Sequence, residues 1–78
     1  MPTAKEMFEE LGYEFVAWHR GINYYKTTCD LYEIEYRIQF FDDIKTFACF
    51  KNDYGMHIDI PTFKAIHQQM KELGWLDE

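Results

Sequence analysis

Leu31-Tyr-Glu-Ile-Glu-Tyr-Arg-Ile-Gln-Phe-Phe41 alternates apolar and polar residues with a period of two. Successive side chains of a strand point to opposite faces, so Tyr32, Ile34, Tyr36, Ile38 and Phe40 share one side of an extended ribbon. Glu33, Glu35, Arg37 and Gln39 share the other. A helix would scatter the five apolar residues around its circumference, and the β-branched and aromatic choices favour a strand. One face therefore seeks a core, while the other is left for solvent or a partner.

The two ends of the chain supply lids for the apolar face. Thr3-Ala-Lys-Glu6 has the form of a capping box, and Ala4, Met7, Phe8 and Leu11 follow on one helical stripe, predicting a helix over residues 4–11. Gly12 suits the left-handed position past its end, with Tyr13 folding back on Phe8. Near the other terminus Pro61 suits a first helical turn, with Asp59 or Thr62 as cap. Phe63, Ile66, Met70 and Leu73 are expected inward, and Lys64, Gln68, Gln69, Lys71 and Glu72 outward. Gly74 and Trp75 repeat the ending seen at Gly12 and Tyr13.

Between the helices, residues 13–18 and 22–27 read as a hairpin around His19-Arg20-Gly21, and Thr28-Cys29-Asp30 reverses the chain into the central strand. Asp42-Asp43 marks a turn, residues 45–51 a fourth strand, Asn52-Asp53-Tyr54-Gly55 another turn, and residues 56–60 a short last strand. Connections this short favour neighbouring antiparallel strands. The expectation is a single α+β domain over residues 1–78: an antiparallel meander sheet of four to five strands flanked by an N-terminal and a C-terminal helix packed on one face.

Composition narrows the function. Fourteen acidic residues against eight basic ones give a formal net charge of −6, and the lysines and arginines form no stripe, so direct nucleic-acid binding is not expected. No apolar run is long enough to span a membrane and the first residues lack the apolar centre of a signal peptide, so a cytoplasmic location is expected. Cys29 and Cys49 are then expected as reduced thiols.

Candidates for chemistry are few. His57-x-Asp59 places two ligand types on one side of a strand, and His67 adds a third, which makes a small enzyme or metal-binding protein the rival reading. Cys49 with His57 lacks an orienting third residue, and Asp42-Asp43 reads as a solvated turn. No glycine loop of the phosphate-binding type occurs, and no cofactor is expected. The acidic set Glu9, Glu10, Glu14, Glu33, Glu35, Asp42 and Asp43 is expected to form an anionic ridge if Glu33 and Glu35 lie near the Asp42-Asp43 turn. Trp18, Tyr25 and Phe41 fall on the second sheet face, where they favour self-association or a partner.

Residues 4–14 (Ala4-Lys-Glu-Met-Phe-Glu-Glu-Leu-Gly-Tyr-Glu14) and 63–75 (Phe63-Lys-Ala-Ile-His-Gln-Gln-Met-Lys-Glu-Leu-Gly-Trp75) resemble the ends of small uncharacterised acidic proteins encoded by phages and integrated mobile elements of Gram-positive bacteria. The resemblance covers about a third of the chain and brings no catalytic or ligand residues with it. It implies a bacterial cytoplasm and an accessory protein that binds and blocks a host protein. The expected function is non-catalytic inhibition of a bacterial defence or nucleic-acid-processing factor, in an anti-CRISPR-like manner, with the acidic face as a nucleic-acid mimic. Trp18, Glu33, Glu35, Arg37 and Gln39 are the expected partner-binding residues, and a structural homodimer is a third reading.

Overall fold

Helix α1 (Ala4–Glu10) begins where Thr3 Oγ1 accepts from the Glu6 amide at 3.1 Å and the Thr3 amide donates to Glu6 Oε1 at 2.9 Å. This is the reciprocal capping box. It ends where the Tyr13 amide reaches the Phe8 carbonyl and the Gly12 amide the Glu9 carbonyl, both at 3.0 Å, with Gly12 at φ +93°. The paired bonds are a Schellman motif, closed by the Phe8 and Tyr13 rings edge to face at 5.6 Å. Helix α2 (Ile60–Glu72) is capped by Asp59, whose Oδ1 accepts from the Thr62 amide at 2.9 Å. It ends by the same device, with the Trp75 amide on the Met70 carbonyl and the Gly74 amide on Lys71.

The computed structural model describes residues 2–29 and 33–76. Strands β1 (Glu14–Trp18), β2 (Gly21–Cys29), β3 (Glu33–Phe41), β4 (Thr46–Lys51) and β5 (Tyr54–Gly55) form one antiparallel sheet in sequential order. The meander flanked by two helices is the α+β arrangement that the alternation of β3 calls for. Leu31, Tyr32 and the Asp30 position of the expected reversal lie outside the described residues.

Register assigns the faces. Tyr24 pairs with Ile38 and Phe15, Ile22 with Phe40 and Ala17, and Cys49 and Phe47 continue the two rows on β4. The core rests on this side: Phe8, Tyr13, Tyr24, Ile38, Phe40, Ala65 and Ile66 are buried together, so both helices cover it. Phe8 stacks on Tyr24 with ring centroids 3.9 Å apart. The opposite face carries Val16, Trp18, Asn23, Tyr25, Glu33, Glu35, Arg37, Gln39, Phe41, Ala48 and Phe50, and among the described residues no helix lies over it.

Three expectations need correction. The inward arc of α2 is Thr62, Ala65, Ile66 and Gln69, whereas Phe63 is 53% exposed. The helix is rotated because the Tyr24 hydroxyl, buried beneath it, requires an acceptor. Gln69 Oε1 accepts the hydrogen bond from that hydroxyl at 2.5 Å, while Phe63 lies outside and stacks with His67. The last strand is not residues 56–60 but the two residues Tyr54–Gly55. Asn52 adopts φ +56°, which closes a tight turn between Lys51 and Tyr54 and brings pairing forward, and Asp59 is then held as a helix cap. The hairpin turn contains only His19 and Arg20, and Gly21 already pairs with Trp18 and Phe41. A Cβ at Gly21 would stand 2.1 Å from the Phe40 carbonyl oxygen, so glycine is required there by close backbone approach.

Candidate protein-binding face

The uncovered face is ordered in rows across the strands. Trp18, Gly21, Phe41 and Thr46 form one row, and Val16, Asn23, Gln39 and Ala48 the next. Glu14, Tyr25, Arg37, Phe50 and Gly55 form a third. Because Gly21 has no side chain, the Trp18 and Phe41 rings meet across it, edge to face at 5.7 Å. The Arg20 guanidinium lies 5.0 Å from the Phe41 ring centre and the Arg37 guanidinium 4.9 Å from that of Phe50. Two aromatic groups, each with an arginine against it, thus flank the central Asn23 and Gln39.

Asn23 is only 5% exposed although no helix covers it. Its Oδ1 has no hydrogen-bond partner among the described residues, and neither do the buried Trp18 Nε1 and Arg37 Nε. All three atoms belong to residues of the uncovered face. A buried polar atom left unpaired costs about 1–3 kcal/mol, a large sum for a small domain whose whole stability is of the order of 5 kcal/mol. The three atoms are concentrated on one surface, which makes that surface the candidate site.

All five residues expected from the sequence stand on this face, but at different places. Gln39, Arg37, Glu35 and Glu33 succeed one another along β3, while Trp18 lies beyond them beside Phe41. Glu35 Oε1 is 3.5 Å from Arg37 Nη1, a part-exposed ion pair of small net worth. The expected anionic ridge is not assembled. Glu35 and Asp42 are seven positions apart on one extended segment, which at about 3.3 Å per residue separates them by roughly 23 Å. The Asp42-Asp43 turn is also engaged: Trp75 Nε1 donates to Asp42 Oδ1 at 2.9 Å, and Asp43 Oδ2 lies 3.0 Å from Arg20 Nη2. Phe50 and Asn23 are the residues that sequence reasoning missed. Both were accessible from parity, since Phe50 pairs with Arg37 and Asn23 with Gln39.

The metal and enzyme candidates are not brought together. Asp59 is committed to the α2 N-terminus, His57 is exposed in the preceding segment, and His67 is two helical turns further on, stacked with Phe63. Among the described residues no group of three His, Cys, Asp or Glu side chains converges as a metal site would require. Cys49 is half-buried on the covered face, where burial pushes its thiol up. Cys29 pairs with Glu33 and Cys49 with Ile38, five positions apart along β3. That is about 16 Å, well beyond the roughly 7 Å a disulfide allows between Cα atoms.

Among the described residues no helix is long and apolar enough to cross a membrane. No protein family, no curated protein and no solved structure matches this chain.

Proposed function

We propose that the chain is a non-catalytic protein-binding module that takes a cationic segment of another protein onto its uncovered sheet face. The observation that carries this reading is the set of three buried, unpartnered polar atoms at Trp18, Asn23 and Arg37, all on that face. The half-buried aromatic residues around them are the side-chain types enriched at interface anchors. Charge selects the partner. The chain has a formal net charge of −6, and the face carries Glu14, Glu33 and Glu35 against Arg37 and an Arg20 already paired with Asp43, so a basic surface is attracted and an acidic one repelled. The resemblance of the two chain ends to phage-type accessory proteins would make that partner a bacterial host protein and its blockade the biological effect.

The test compares what immobilised variants retain from a bacterial lysate. Glu33→Lys/Glu35→Lys and Asn23→Val should each lose a bound protein by at least about tenfold, as expected for face-centred contacts. The matched reversal Glu9→Lys/Glu10→Lys on α1 should keep it. Asn23→Val should at the same time raise Tm, because it deletes an unpaired buried acceptor. Identical retained proteins across all four chains would overturn the assignment of this face.

A further inference from the structure

Among the described residues β1 is an edge strand, paired with β2 on one side only. The Arg20 carbonyl accepts from the Asp42 amide at 2.8 Å and so points toward β3. Backbone groups alternate in direction along a strand, which turns those of Gly21, Asn23 and Tyr25 toward β1. Their partners Trp18, Val16 and Glu14 are satisfied by β2. The N–H and C=O groups of Phe15 and Ala17 therefore point outward from the sheet.

Edges that stay solitary are usually blunted by Pro, by Lys or by a bulge. β1 has none of these: it reads Glu-Phe-Val-Ala-Trp in unbroken register, with Phe15 38% and Val16 43% exposed. The Lys5 ammonium of α1 lies 5.3 Å from the Phe15 ring centre, beside an open groove lined by Lys5, Glu9, Gly12, Tyr13, Glu14 and Phe15, and among the described residues no backbone group of α1 bonds the outward N–H and C=O groups of Phe15 and Ala17.

We propose that this edge pairs with the same edge of a second copy of the chain, antiparallel about a two-fold axis at Val16. In that register Phe15 of each copy faces Ala17 of the other, and each such pair exchanges both of its N–H···O=C bonds. Glu14 faces Trp18 of the second copy, and the two Glu14 residues stand at opposite ends of the ladder. No like charges face each other across the ladder. The result is one continuous ten-stranded sheet with the two uncovered faces side by side.

Sedimentation velocity in physiological salt, from low micromolar up to about 1 mM, reads the association directly. The expected result is a concentration-dependent monomer–dimer equilibrium. Val16→Lys places two ammonium groups opposite one another at the axis, and Ala17→Pro removes an outward N–H without touching the β1–β2 ladder. Each should shift the midpoint toward monomer by at least about tenfold, as like charges across a ladder and a lost edge donor do. Val16→Ile and Glu33→Lys/Glu35→Lys should leave it in place, the latter separating this edge from the cationic-partner face. Circular dichroism confirms the fold of each variant, and Val16→Lys, an exposed position, decides the matter should Ala17→Pro unfold. A chain that stays monomeric over the whole range, or a dimer that survives Val16→Lys, overturns the proposal.

Discussion

Tyr24→Phe removes one oxygen from the centre of the fold and should be felt throughout it. The Tyr24 hydroxyl donates to Gln69 Oε1 at 2.5 Å, with Tyr24 1% and Gln69 5% exposed, and it bridges β2 to α2 across 45 positions of sequence. Without the hydroxyl, Gln69 keeps a buried amide oxygen with nothing to accept, at a cost of about 1–3 kcal/mol. For a domain of this size about 2 kcal/mol lowers Tm by roughly 8–16 °C. Gln69→Leu leaves the converse orphan, a buried donor, and should cost a similar amount less the gain of an apolar side chain. The double variant Tyr24→Phe/Gln69→Leu replaces both partners with apolar groups and should return to within about 1 kcal/mol of the starting protein. Urea unfolding followed by far-ultraviolet circular dichroism yields the coupling energy of the cycle, expected to exceed about 1.5 kcal/mol. Singles that simply add, with coupling under about 0.5 kcal/mol, would refute the bond as the reason α2 is rotated.

Gly21→Ala should destabilise by at least about 2 kcal/mol, since strained backbone and overpacking each cost 1–3 kcal/mol and the new Cβ would meet the Phe40 carbonyl oxygen; an unchanged urea midpoint would contradict this. Burial pushes Tyr13 up to about 12, and Tyr24 shifts in the same direction for the same cause. Their contribution to stability is therefore complete below the unfolded tyrosine value of about 10. It is lost as pH rises from there through the folded values. Tyrosinate absorbance and circular dichroism, compared with Tyr13→Phe and Tyr24→Phe variants, should show these two hydroxyls ionising only with cooperative unfolding; their ionisation near pH 10 with the fold intact would count against it.

What the sequence discloses here depends on how many constraints act at a position. Ile34 to Phe40 is legible because a period of two has one solution, and both helix ends are legible because capping box and glycine stop are local chemistry. The orientation of α2 is not local. Phe63 and Gln69 both sit at margins of a broad apolar arc, and only the Tyr24 hydroxyl on a different element decides which turns inward. The last strand was misplaced because Met56 to Ile60 alternates, whereas the left-handed Asn52 that moves the pairing forward is a single residue. The candidate site divides in the same way. Parity places Glu33, Glu35, Arg37, Gln39 and Trp18 on one surface, but the orphaned atoms at its centre emerge only when neighbouring strands crowd Asn23. The ridge joining Glu35 to Asp42 fails on strand length alone, a sum available from the sequence.

β2 and β3 outrun their neighbours. β1 reaches only to Tyr25, and β4 ends opposite Tyr36, past which Asn52 clasps Glu35 through its amide and its Oδ1. Beyond that clasp, among the described residues, Thr28 pairs only with Ile34 and Cys29 only with Glu33, with no third strand in register beside them. Substitutions in this projecting ladder consequently have little to disturb behind them. It is the portion of the molecule that natural variation or an engineer can rewrite, lengthen or tag while the seven-residue core beneath the helices goes on folding unchanged.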